Sequence, residues 1–209
     1  DELSKVYTQM AQELKFGKSK SILLVTEKTK NNSKREKKNS KLKTDKASIY
    51  TTFQAMVDVN RPDEDGNWRA FASSQKIAWK KGTSFGFRDA WAIGVTPDYV
   101  VAVWIGNADG EGRPGLTGIK AAAPLLFDVF AQLPRSSSWF VEPRDDMSKV
   151  NICSESGHRA SDLCEKTELV WMSKHCLNTT GCPYHQTIHL TTNNLYSVDS
   201  ECPSLYNMK

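Results

Sequence analysis

The segment Ile77-Ala78-Trp79-Lys80-Lys81-Gly82-Thr83-Ser84 holds the residues best suited to chemistry. In an extended chain side chains alternate, so Lys80, Gly82 and Ser84 share one face and Trp79, Lys81 and Thr83 the other. An ammonium at Lys80 would supply positive potential to an anionic ligand. The missing side chain at Gly82 would let that ligand lie against the backbone. Hydroxyls at Thr83 and Ser84 would bind a carboxylate, and free strand N–H groups would steady a developing oxyanion. The same residues also suit a solvated lysine pair guarding a strand edge, so an anion site needs support from its surroundings. Lys81 falls on the Trp79 side, where a buried ammonium without a partner is costly; it must reach an edge or deform the site.

A second group is Cys153, Cys164, Cys176, Cys182 and Cys202, with no cysteine before them. Ten, eleven, five and nineteen residues separate them, so the paired short knuckles of a zinc ribbon are missing. His158, His175, His185 and His189 lie among them, which leaves a metal site as the lesser alternative. The favoured reading is a small module stapled by disulfides in an oxidising compartment, with no metal and no cofactor. Spacing does not fix the connectivity; Cys153–Cys164 and Cys176–Cys182 are the simplest pairs. The odd count leaves one thiol unpaired and suggests a truncated module.

Charge is distributed unevenly along the 209 residues. The formal net charge is +4, yet residues 15–46 alone hold 12 Lys/Arg against three acidic groups. The rest of the chain is therefore mildly acidic. The excess sits mainly in residues 28–46, a low-complexity stretch of Lys, Asn, Ser and Thr without interleaved aromatics. That composition reads as a solvated insertion, and nucleic acid is not an expected partner. A basic binding module acting through residues 15–46 rests on charge alone. The longest apolar runs, Ile22–Val25 and Tyr99–Ile105, are too short to cross a bilayer.

These residues need a scaffold, and the periodicity supplies one. Leu3, Val6, Tyr7, Met10 and Leu14 predict an amphipathic helix over 2–15, ending near Gly17. Ser21–Val25 fits either a strand or a helix start. Ile49, Phe53, Met56 and Val57 predict a helix over about 46–59, with Asp45 or Thr44 as N-cap. Strands are expected at Lys76–Ser84, Asp89–Thr96 and Tyr99–Gly106, the last two joined as an antiparallel hairpin. A glycine-rich loop, Gly106–Gly118, leads to a helix with Ala122, Leu125, Leu126, Val129, Phe130 and Leu133 as its apolar stripe. Pro134 and Ser136–Ser138 read as a linker. The class is α+β, an antiparallel sheet with helices, followed by a small Cys-rich, β-rich domain.

The run from Trp79 to Gly94 resembles the third active-site motif, Lys-Thr-Gly then Thr-Ser, of penicillin-binding transpeptidases, more narrowly the bifunctional class A proteins of the 1C type. Asp58-Val59-Asn60-Arg61-Pro62, Val103-Trp104-Ile105-Gly106-Asn107, Pro114-Gly115-Leu116-Thr117-Gly118 and Ala121-Ala122-Ala123-Pro124 extend the likeness. So do Val150-Asn151-Ile152-Cys153, Ser156-Gly157, Cys164 and Cys182-Pro183-Tyr184-His185 in the tail. The resemblance implies a partial serine-transpeptidase fold at 1–134 (interrupted by 28–46), a linker at 135–148, and a truncated C-terminal domain at 149–209.

The resemblance also implies peptidoglycan cross-linking. A serine attacks the penultimate D-Ala carbonyl of a stem peptide, the acyl-enzyme is resolved by a neighbouring stem's amine, and β-lactams acylate the same serine. Lys80 would be the motif lysine. Gly82 would line the groove, with Thr83 and Ser84 on the donor carboxylate. Arg88 and Asp89 read as a structural ion pair. Two features depart from the family: Lys81 replaces the motif's middle threonine, and no Ser-x-Asn triplet occurs. The two Ser-x-x-Lys matches, Ser40–Lys43 and Ser73–Lys76, are misplaced for a nucleophile and read as chance. The expectation is therefore a part of an inner-membrane, periplasm-facing peptidoglycan synthase. The glycosyltransferase domain, membrane anchor and nucleophile would belong to an N-terminal part not in this chain, and this portion would be inactive alone. The rival is a degenerate, non-catalytic protein that binds peptidoglycan or a partner.

Overall fold

The computed structural model describes residues 2–17, 44–62, 75–191 and 195–198. Most of the basic insertion, the Ser21–Val25 run, Ser40–Lys43, Ser73 and Cys202 lie outside them. The chain divides into two compact units, residues 1–146 and 147–209.

In the first unit, α1 (Glu2–Phe16) and α2 (Lys46–Val57) precede three strands, β1 (Ala78–Thr83), β2 (Asp89–Val95) and β3 (Val100–Gly106). A π-helical turn, Gly118–Ala122, then leads into α3 (Ala123–Gln132). Helix α1 ends where Gly17 takes φ +69° and its N–H reaches the Glu13 carbonyl, a conformation glycine adopts without strain. Helix α2 starts at Asp45, whose carboxylate accepts from the Ser48 N–H at 3.0 Å and the Ser48 hydroxyl at 2.6 Å. The Thr96–Tyr99 turn closes the β2–β3 hairpin: Thr96 N–H donates to Tyr99 O, and Thr96 Oγ1 accepts from Tyr99 N–H.

The sheet is antiparallel in the order β1-β2-β3, with Trp79 opposite Gly94 and Gly94 opposite Val101. One face therefore carries Trp79, Ala90, Ala92, Val101, Val103 and Ile105, and it packs against Ala122, Ala123, Leu126 and Phe130. The small residues at 90, 92 and 94 make room for Phe130 and Trp79. The other face presents Ala78, Val95 and Val100 to Ile49, Phe53, Met56, Val57 and Ala11. Burying Ile49 and Phe53 fully contributes about 1.5–3 kcal/mol each.

The apolar stripes are narrower than periodicity alone suggests. On α1 the inward residues are Tyr7, Met10, Ala11 and Leu14, while Leu3 and Val6 are exposed. On α3 the inward residues are Ala123, Leu126 and Phe130, while Leu125 and Val129 are exposed. Residues 135–148, expected as a linker, mostly fold with the first unit. Phe140 is buried with its ring 5.4 Å from that of Phe53, and Trp139 stacks edge-on to Phe140.

Lys15 Nζ meets Asp98 Oδ1 at 2.5 Å and ties α1 to the β2–β3 turn. The Lys15 hydrogen bond, helped by Ser136, holds the Asp98 carboxyl below its ordinary value. A depressed carboxylate stabilises the fold above its unfolded-state value, and that contribution is lost as pH falls through the folded one. Asp98→Asn is therefore expected to lower stability modestly at neutral pH and to change little at acid pH below the folded-state value, so that the acid limb is flatter, as read by urea unfolding across pH.

The second unit has β4 (Met147–Cys153) paired antiparallel with β5 (Thr167–Ser173), and a short β6 (His189–Leu190) paired with β7 (Ser197–Val198). Among the described residues of this unit only Met147, Cys153, Ser173 and Cys182 are buried.

Candidate functional site

Strand β1 lies at a sheet edge among the described residues, and Lys80 and Gly82 share its face with Ile93, Trp91 and Asp89 of β2. Lys80 is exposed, with its ammonium 2.9 Å from the Lys81 carbonyl oxygen. A Cβ added to Gly82 would touch only Trp91 Cβ, at 3.6 Å, so the face above Gly82 has room for a ligand. Trp91 and Trp104 lie beside this space with centroids 6.5 Å apart. Asp89 accepts from Trp104 Nε1 at 2.9 Å, which replaces the expected Arg88–Asp89 ion pair.

Lys81 is exposed, contrary to the concern that its face is covered. Along β1 burial ends at Trp79, while Ala92, opposite Lys81 on β2, stays buried. Thr83 Oγ1 accepts from the Gly118 N–H at 3.0 Å, linking the motif strand to the turn before α3. Ser84 closes the following loop. Its N–H donates to Asp89 O, and its hydroxyl accepts from Asp89 N–H at 2.7 Å, leaving its own proton to donate. In that loop Phe87 adopts φ +56° and Phe85 is fully exposed, and Arg113 N–H donates to Phe87 O. Gly112 is pressed against the Gly86 carbonyl, where any side chain would collide. Two glycines are thus what lets the 106–118 loop close over the end of the motif strand.

The flanking Asp58–Pro62 segment serves as a buttress. Trp79 Nε1 donates to the Val59 carbonyl, Arg61 donates to the Gln75 carbonyl, and the Arg61 guanidinium stacks on Phe127 at 4.8 Å. Lys76, the lysine of one Ser-x-x-Lys match, donates to Gln54 Oε1 and lies over Trp139 at 4.6 Å. Burial lowers its pKa, partly offset by Asp58. The other members of the Ser-x-x-Lys pairs lie outside the described residues.

In the second unit the expected pairs Cys153–Cys164 and Cys176–Cys182 are not formed, and the four described cysteines are free. Cys176 sits on the turn after β5. Cys182 Sγ instead lies 3.1 Å from Ser156 Oγ and 3.4 Å from His185 Nδ1. The ligand atoms of Cys153, Cys164, Cys182 and His185 instead all lie within 4.8 Å of one another. The Ser156 hydroxyl, then the Tyr184 and His185 amides, hold the Cys182 thiol down to about 5. Contact with Cys182 and then with Glu155 raises His185. Sequence reasoning named His185 only as one of four histidines in the lesser, metal-site alternative; the Cys182-x-x-His185 spacing was the signal that singles it out.

No family model matches the chain. Penicillin-binding protein 1C of Escherichia coli (strain K12) is 38% identical over 122 residues, 56% of this chain and 16% of that protein. Penicillin-binding protein 1A of Clostridium perfringens is 27% identical over 122 residues, 54% of this chain and 14% of that protein. Penicillin-binding protein 1A of Aquifex aeolicus is 30% identical over 108 residues, covering 50% and 15%. The chain thus spans about a sixth of the length of these relatives. A crystal structure of penicillin-binding protein 1A from Haemophilus influenzae superposes with TM-score 0.44 and 17% identity over 66% of this chain and 22% of that chain, too loosely to add to the sequence matches. By these sequence matches about half of the chain is similar to a short portion of penicillin-binding proteins 1C and 1A, a likeness that includes no family model.

Proposed function

We propose that this chain supplies the substrate-binding edge of a 1C-type D,D-transpeptidase that cross-links peptidoglycan stem peptides through a serine acyl-enzyme and binds β-lactams at the same site. The observation that carries the reading is the exposed Lys80 beside the open backbone of Gly82 on an edge strand. An extended stem peptide, or a β-lactam imitating it, can add to such an edge by main-chain hydrogen bonds. Its carboxylate would then meet Lys80, Thr83 and Ser84, with Lys80 also positioned to assist proton transfer.

The nucleophilic serine and its partner lysine would be supplied by sequence upstream, together with a glycosyltransferase domain and an anchor in the inner membrane, so that the site faces the periplasm. None of the described helices is long and apolar enough to cross a membrane. The Cys-rich unit would be part of the family's C-terminal domain.

A labelled penicillin tests this. The 209-residue chain should take no label that survives denaturation, whereas the protein with its upstream reading frame should label covalently. Lys80→Ala in that longer protein should slow acylation by about 10²-fold or more. Lys81→Thr, at an exposed position, should leave stability within about 0.5 kcal/mol, and any rise in acylation would then report on the site itself. Unchanged labelling in Lys80→Ala would remove Lys80 from the mechanism. No labelling of the longer protein would favour a non-catalytic peptidoglycan-binding role.

A further inference from the structure

The second unit has too little core to explain its own shape. It is built on a two-stranded pair, a form that is marginal alone in water, and its buried described residues are few. Two of them, Cys153 and Cys182, point at one place. Cys153 ends β4, Cys164 follows in the next turn, and Cys182 and His185 come from a third segment. Whatever joins these four side chains cross-links most of the unit.

The geometry around His185 limits what that can be. Its Nδ1 lies 3.5 Å from Cys153 Sγ, 3.4 Å from Cys164 Sγ and 3.4 Å from Cys182 Sγ. An imidazole nitrogen has one lone pair and accepts one hydrogen, so three thiols cannot all bond to it. One disulfide among three sulfurs would leave the third unpaired beside the ring. A tetrahedral ion answers both difficulties. With metal–sulfur and metal–nitrogen distances of about 2.3 and 2.05 Å, a tetrahedron has a sulfur–nitrogen edge of about 3.6 Å, close to the separations found.

The surroundings are also those of a metal ligand set. His185 Nε2 lies 3.1 Å from Glu155 Oε2, so the ring donates there and its Nδ1 lone pair faces the three sulfurs. Cys164 Sγ accepts from the Ser161 N–H at 3.3 Å, and Ser156 Oγ lies 3.1 Å from Cys182 Sγ. The turn that presents Cys153 is held by Cys153 N–H to His158 O and by Gly157 N–H to Cys153 O, both 2.8 Å.

We infer that Cys153, Cys164, Cys182 and His185 form a structural tetrahedral site for a divalent zinc ion. Three soft sulfurs and one neutral imidazole nitrogen select zinc over harder cations, and four protein ligands leave no open position for catalysis. The ion supplies cross-links where the described residues of the unit bury little apolar surface, and it keeps these thiols out of disulfides. The inference is independent of the transpeptidase reading.

The test uses the whole chain, purified without chelator. Elemental analysis should find about one zinc per chain, and the apoprotein should recover it from added zinc. Cobalt in its place should give thiolate-to-cobalt charge-transfer absorption and the visible bands of tetrahedral Co²⁺. Cys182→Ser should weaken binding at least 100-fold, and Glu155→Gln by about 10–100-fold. His185→Cys should keep the metal with a cobalt spectrum of four thiolates, and Cys176→Ser should bind normally. If the substituted chains do not fold, the stoichiometry and cobalt spectrum of the unmodified chain decide. Disulfides among Cys153, Cys164 and Cys182 in the isolated chain, no uptake of zinc by the reduced chain, or equal loss of metal in Cys176→Ser would each overturn the site.

Discussion

Trp79→Ala is expected to destabilise the first unit by about 3–5 kcal/mol, the range for truncating a buried aromatic residue. Trp79 has no exposed surface and meets Phe127 edge-on, with centroids 5.2 Å apart. It lies opposite Gly94, where an added Cβ would stand 2.5 Å from Phe130, so the surrounding backbone cannot collapse into the cavity. Trp79→Phe separates packing from hydrogen bonding. It keeps an aromatic ring but leaves the Val59 carbonyl without the indole N–H, costing about 1–3 kcal/mol. Because the chain has two units, hydrogen exchange of β1 and β2 amides is the appropriate measurement rather than a whole-chain melting curve. Unchanged exchange in Trp79→Ala would show that the motif strand is not anchored through this residue. Since Lys80 follows directly, the same variant should also lower penicillin labelling of the longer protein.

Gly118→Ala is the second large effect, expected near the top of the about 1–3 kcal/mol range for overpacking. The added Cβ would stand 2.5 Å from the Gly82 carbonyl oxygen and 2.6 Å from that of Trp91. Both atoms belong to sheet backbone, so relief requires moving the turn or the strand, not rotating a side chain. Either movement breaks the Gly118 N–H bond to Thr83 and shifts the backbone of the proposed ligand groove. Gly115→Ala is the control. Gly115 has φ +85° and no neighbour within 4 Å of an added Cβ, so its cost is the left-handed conformation alone, about 1–2 kcal/mol. Gly115→Ala should leave exchange at β1 as it is, and Gly118→Ala should accelerate it. Equal effects would mean that the close approach at Gly82 does not support the strand.

The three strands of the first unit were legible because each alternates or is bounded by turn residues, and the observed β1, β2 and β3 fall inside the expected ranges. Asp45 and Gly17 were legible as helix boundaries for equally local reasons. The helix faces were less so. Periodicity marks every apolar residue on a stripe, but Leu125 and Val129 face solvent while Ala123, Leu126 and Phe130 are buried against the sheet. The stretch around Phe140 looked like a linker because its prolines and serines hide two aromatic anchors.

At the site, sequence by itself determined that Lys80, Gly82 and Thr83 lie along one strand with Ser84 directly after it, because that order is covalent. It also determined that Lys81 and Thr83 share a face, since alternation follows from backbone geometry. Only the tertiary structure decided that Lys81 is exposed, because exposure depends on which other elements pack over an edge strand. Tertiary structure likewise decided the use of the cysteines. Linear spacing ranks neighbours in the chain, whereas the fold brings Cys153, Cys164 and Cys182 around His185 and leaves Cys176 aside. A ligand set is a property of distances in space, and ten or more intervening residues can be folded back to close them.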